Sequence, residues 1–302
     1  MPASEFPLFA SPSMLAAVSP DARPLLPDVS FFSFLTSSVF VAGVVLVVLL
    51  WFAKKATKNM RLVPHKTQNL FEFLVEFLYG RVESIVGPKV APKAFPLLAT
   101  LFIFILVSNW VGLLPGVGTI GWGKSAGFLT ISNGDHDMVN PILRPPTGDL
   151  NLTLGLAIMS FLVWIYITLR EVGVWGFIVH TFGPKGGLKG VMGLIVGAVF
   201  LFVGAIELVS IAIRPLTLSV RLYGNVYAGE SVIHAMSTML DGTAPWLSFL
   251  GSVILPIPFY FMELLVGLLQ AMVFTLLSAV YIQLSTTHDD HGHEEGKGAA
   301  HH

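Results

Sequence analysis

Five apolar segments, at about residues 34–53, 97–114, 150–169, 191–237 and 246–285, recur along this 302-residue chain. A hydrocarbon core about 30 Å thick is crossed by a helix of roughly 18 or more apolar residues, so the pattern demands a polytopic membrane protein. The expected fold is an all-α integral membrane protein of about five membrane helices. Composition agrees: 54% of the residues are hydrophobic and 12% charged, where soluble domains carry about a quarter charged. The net charge of -1 points to no nucleic-acid partner, and the absence of cysteine excludes disulfides, thiolate metal sites and cysteine nucleophiles. No cofactor and no metal site is expected.

Three regions follow: an external N-terminal tail over 1–33, a membrane domain over 34–285 and a polar His-rich tail over 286–302. Arg23 is the only Arg or Lys in the first thirty residues, so neither a cleaved signal peptide nor a transit peptide is expected there. After the first span, "NLFEFLVEFLYGRVESIV" sets Glu72, Glu76 and Glu83 on one helical face among aromatics. That is the pattern of an interfacial amphipathic helix, and equally of a helix packed on other protein. With the N-terminus outside, twelve of the seventeen Lys and Arg fall inside, three fall outside and two, Arg214 and Arg221, lie within the fourth segment. The positive-inside rule then sets the N-terminus outside and the C-terminus in the cytoplasm. Gly118, Gly123, Lys124 and Ser125 match the phosphate-loop spacing, but they sit in an external loop after a membrane helix, without the strand and helix that such a loop joins. The match is read as accidental.

The last two segments carry the chemistry. A 47-residue helix is about 70 Å long at 1.5 Å per residue, more than twice the core, so the fourth segment is either broken or steeply tilted; Pro215, Pro256 and Pro258 permit kinks. Glu207, Arg214, Arg221, Glu230, His234 and Glu263 lie inside these two segments. Each charge at mid-membrane costs about 2.5–3.5 kcal/mol on insertion scales and faces a polar path or a partner. At 100° per residue, Glu207, Arg214, Arg221 and Asn225 form one stripe, whereas Glu230 lies on the opposite face with His234 beside it. "DGTAP", 241 to 245, joins the two segments as an antiparallel hairpin, so residues whose numbers sum to about 490 lie opposite each other. Arg221 is then expected to meet Gln270, and Glu230 to approach Glu263. Glu207 and Arg214 are candidates for a stabilising pair, and His234 for either packing or proton handling.

"RPLTLSVRLYGNVYAGE", 214 to 230, resembles the R-L-x-G-N-x-x-A-G-E pattern of subunit a of the F-type ATP synthase, through Arg221, Leu222, Gly224, Asn225, Ala228, Gly229 and Glu230. "LLQAMVFTLLSAVYI", 268 to 282, is similar to that family's last helix, and "NWVGLLP" and "DLNLT" to its earlier ones. The chain departs from some relatives at Glu263, where they have histidine, and at Gly112, where they have an acid.

The resemblance implies a non-catalytic, ion-translocating stator subunit whose last two helices form a steeply tilted hairpin along a rotating ring of c subunits. It implies two offset half-channels, an outer one at Glu230, Glu263, Asn225 and His234 and an inner one at Glu207 and Ser210. Arg221 separates them, while Gln270 and Arg214 complete the polar set. Implied partners are the c-ring, the b-subunit peripheral stalk, the rest of the complex, the lipid bilayer and protons. A bacterial inner membrane is expected, with an organellar inner membrane or thylakoid as alternatives. Sodium coupling is an alternative within the family. A secondary transporter or channel is an alternative outside it, but the charged motifs occur once, without the internal repeat such proteins carry.

Overall fold

The computed structural model describes residues 36–58, 60, 66–114, 120–123, 130–131, 138–141, 144–182, 191–240, 242 and 244–286. The phosphate-loop residues Gly118, Lys124 and Ser125 and the two terminal tails lie outside them. Among the described residues seven α-helices form in chain order: α1 Ser37–Thr57, α2 Lys66–Val86, α3 Ala91–Gly112, α4 Leu150–Phe182, α5 Val191–Ser237, α6 Pro245–Ile254 and α7 Ile257–Thr286. They supply five segments long and apolar enough to cross a membrane, with α6 and α7 together counting as one.

Three short strands stand between α3 and α4, a region read from sequence as plain loop: β1 Ile120–Gly123, β2 Thr130–Ile131 and β3 Met138–Pro141, in the antiparallel order β2-β1-β3. Strand β1 occupies positions of the phosphate-loop match, and the next described element after it is another strand. Neither fits a phosphate loop, which must be a loop that opens into a helix.

Local chemistry explains the boundaries. At the start of α1 the Val39 amide donates to Thr36 Oγ1 at 3.3 Å, and at the start of α4 the Asn151 amide donates to Asp149 Oδ1 at 2.9 Å; both side chains satisfy amides that a first turn leaves open. Segment 150–169 runs longer than its apolar core, because α4 continues to Phe182 across a break at Gly173, whose φ of 80° suits glycine. The fourth segment is unbroken: α5 is a single 47-residue helix with Pro215 inside it. Tilt, not breakage, is therefore what reconciles its length with a bilayer. The fifth segment does break, at Leu255 and Pro256 between α6 and α7.

The chain divides into two compact units. Of the described residues, one holds those from 36 to 48, 106 to 153 and 223 to 268; the other holds those from 49 to 105, 154 to 222 and 269 to 286. The second has a core of Leu98, Val82, Val86, Trp164, Ile211 and Ile282 with their neighbours. Leu78, Val82 and Val86 of α2 are buried at four-residue spacing while Leu70 and Phe73 are exposed, so one stripe of α2 packs on protein. Polar groups join α4 to α7: Ser160 and Ser278 hydroxyls lie 3.3 Å apart, Trp164 Nε1 donates to the Tyr281 carbonyl at 2.8 Å, and Thr168 and Ser285 hydroxyls lie 2.9 Å apart. Such contacts join helices where water does not drive association.

The first unit contains the hairpin. A Cβ built on Gly251 would lie 3.1 Å from Leu240 Cβ, in agreement with the expected register. Disulfides need Cβ atoms about 3.5–4.5 Å apart, and the chain has no cysteine of its own. Cysteines at Leu240 and Gly251 are expected to form a disulfide on mild oxidation, read as a mobility shift reversed by reductant; no shift would displace the register.

Candidate functional site

In the first unit, the outer acids meet at a glycine. A methyl group at Gly229 would overlap the Glu263 carboxyl, so Glu263 of α7 lies against the α5 backbone one residue before Glu230. Glu230 Oε2 is 3.9 Å from where a Cβ on Gly148 would stand. Glu230 is within electrostatic range of Glu263, His234 and Arg144. The expected approach of Glu230 and Glu263 is thus present, with Glu263 buried and Glu230 half-buried. His234 and Asn225 are exposed.

Hydrogen bonds hold this arrangement in place. Asn109 Nδ2 donates to the Gly267 carbonyl at 3.1 Å, Thr147 Oγ1 donates to Asn109 Oδ1 at 2.8 Å, and Trp110 Nε1 donates to the Leu264 carbonyl at 3.2 Å. The end of α3 therefore grips α7 at residues 264 and 267, flanking the turn next to Glu263, and ties the loop under Glu230 to the same point. Gly112 belongs to this grip: a Cβ there would stand 2.7 Å from Pro145 Cβ. Asn109, Thr147, Asp149 and Arg144 were not among the site residues expected from sequence. Asn109 opens "NWVGLLP" and Asp149 opens "DLNLT", but a hydrogen bond across 38 positions has no trace in spacing.

One prediction arises directly. The atoms a Gly229 methyl would meet are the end of the flexible Glu263 side chain, so Gly229→Ala should displace that carboxyl instead of unfolding the helix pair. Assembly of the complex is expected to be unchanged while gradient-driven synthesis falls several-fold, and Glu263→Asp, whose shorter arm withdraws the carboxyl, should restore part of it. Wild-type synthesis in Gly229→Ala would remove the glycine contact from the route.

In the second unit, Arg221 is exposed on α5 and makes no hydrogen bond or ion pair among the described residues. Gln270 is buried, and no hydrogen bond joins the two. The Glu207–Arg214 pair is also not formed: the Arg214 guanidinium lies over the Tyr281 ring at 4.7 Å and the Trp164 ring at 5.9 Å. Ring faces attract a cation as a carboxylate would, and an alternation count on one helix cannot anticipate rings from two others. Arg214 also lines a cavity of about 20 Å³ with Ser160 and Ser278, room for about one water. Glu207 is half-buried and Ser210 exposed. Among the described residues no group of three or more His, Cys, Asp or Glu forms a metal cluster.

A multi-pass membrane protein that keeps ionisable side chains inside its apolar spans belongs to the ion-conducting class. Residues 35–283 match the ATP synthase A chain family, and the chain belongs to it. It is 34% identical over 242 residues to ATP synthase subunit a of Pseudomonas savastanoi pv. phaseolicola, covering 79% of this chain and 76% of that one. It is 31% identical to ATP synthase subunit a of Protochlamydia amoebophila over 80% of this chain and 74% of that one. To the subunit of that name in Anaeromyxobacter dehalogenans strain 2CP-1 it is 30% identical, spanning 82% of this chain and 59% of the relative. The chain is accordingly a non-catalytic membrane subunit of the ATP synthase type.

Proposed function

We propose that this chain carries protons to and from a rotating ring of c subunits through two offset half-channels in a bacterial inner membrane. The single observation that carries the reading is Arg221, a permanent charge exposed in an apolar span with no partner among the described residues. Such a charge is costly in lipid unless a partner of opposite sign faces it, and a ring carboxylate is that partner. Guanidinium suits the task because it holds its proton at every relevant pH.

A proton enters near Glu230, Glu263, Asn225 and His234, neutralises a ring carboxylate, travels with the ring through lipid and leaves beside Glu207 and Ser210. Arg221 receives the newly ionised carboxylate and blocks direct passage between the two routes. The outer acids and the inner group fall in separate compact units, in keeping with two routes. The N-terminus is outside and the C-terminus cytoplasmic, and the b-subunit stalk holds the chain against rotation. Each charge gains about 2.3 kcal/mol per 100 mV, so several protons are coupled to each ATP.

The test is ATP synthesis by the complete complex in liposomes under an imposed gradient. A pH gradient and a potential that make the side bearing the catalytic head alkaline and negative should suffice in sodium-free buffer. Synthesis that requires added sodium would overturn the proton assignment and leave the architecture intact.

A further inference from the structure

Within the second unit, α4 and α5 leave between them a groove of about 240 Å³ lined by Phe161, Trp164, Ile165, Thr168, Leu208 and Ile211, with Leu169 and Ala212 at its edge. We propose that this groove seats one acyl chain of a membrane phospholipid, retained as part of the folded subunit. Both helices belong to segments long and apolar enough to cross a membrane, so what reaches the groove from outside the chain is hydrocarbon.

Water does not fit the lining. A bound water needs two to four polar partners, and the polar groups here are committed elsewhere: the Thr168 hydroxyl pairs with Ser285, and Trp164 Nε1 donates to Tyr281 and Ser285. Emptiness does not fit either, since folded interiors leave few voids larger than a water molecule. The ring is not the occupant. At 100° per residue, Ile211 and Ala212 lie about 80° and 180° around α5 from Arg221, away from the side on which that arginine is exposed.

The wider packing points the same way. Only 11% of the apolar window of α5 is buried, against 50% for α3 and 44% for the segment of α6 and α7, so α5 leans on material that this chain does not supply. An acyl chain in the groove backs α5 on a side that Arg221 does not occupy.

The experiment uses the intact ATP synthase complex, reconstituted with a phosphatidylcholine carrying a diazirine in its acyl chain, then exchanged into lipid-free detergent before illumination. Peptides with lipid adducts are located by mass spectrometry. Compared with a sample illuminated before the exchange, adducts at Ile165, Leu169, Leu208 and Ala212 should persist, while those at Val47 and Val48 of α1, which are 65% and 50% exposed, should fall several-fold. Ala212→Phe, which fills the groove with a ring, should lower the groove adducts several-fold and leave those on α1 unchanged before exchange. Equal loss at both places would make the groove ordinary bilayer contact and overturn the proposal. Groove adducts unaffected by Ala212→Phe, or absent while α1 is labelled, would overturn it as well, the last by showing that another polypeptide covers the site.

Discussion

Replacing Arg221 with Ala is expected to lower gradient-driven ATP synthesis by about a hundredfold, taking about 2.5–3.5 kcal/mol for an uncompensated charge in a span and 1.36 kcal/mol per tenfold in rate. The ring carboxylate would then ionise in lipid without its partner. Arg221→Lys separates two roles. If charge alone sufficed, Lys would preserve much of the activity; we expect it to fail almost as fully, because an ammonium shifts its pKa readily when desolvated and meets a carboxylate through one point instead of a planar fork. The exposed, unpaired position of Arg221 means that neither change disturbs packing, so assembly of the complex should be normal. Passive proton flux through membranes stripped of the catalytic head completes the test. Arg221→Ala should raise that flux by joining the half-channels. Retained synthesis would sink the mechanism, whereas lost synthesis without added leak would discard only the barrier.

The second large effect concerns the outer acids. Glu263 lies against Gly229, next to Glu230, and the two carboxyl groups interact electrostatically. Two neighbouring carboxyls back each other up as proton carriers, so Glu230→Gln alone should slow synthesis about tenfold, while Glu230→Leu with Glu263→Leu should approach the hundredfold or greater loss typical of removing a positioned proton-transfer group. His at 263 keeps a titratable group and should be tolerated. A double-mutant cycle reads the coupling: losses that simply multiply would mean that the acids act independently and do not back each other up, and full activity in the double Leu variant would remove both from the route.

The Asn109–Thr147 bond has a smaller, positional effect. It fixes the end of α3 to the loop beneath Glu230, while Asn109 Nδ2 holds the Gly267 carbonyl of α7, so loss of the Asn109 side chain should alter the outer acids without touching Arg221.

Five spans, the hairpin and the charged stripe were legible from the sequence, since each depends only on local composition and period. The hydrophobic thickness of a bilayer sets the length of a span, and 100° per residue sets which side chains share a face. The pairing of Glu230 with Glu263 followed too, because an antiparallel hairpin with a short turn converts sequence number into position.

What the sequence could not decide were the matters that depend on which third element arrives. Pro215 permitted a break, but α5 continues through it, while Pro256 sits where α6 gives way to α7; the proline chemistry is identical, and the packing around it chose. Arg214 was free to pair with Glu207 seven positions away, yet Trp164 and Tyr281, brought from α4 and α7, hold it instead. Period and composition are properties of one helix, whereas partner choice for a long polar side chain is settled by the contacts that close packing makes available from several helices at once.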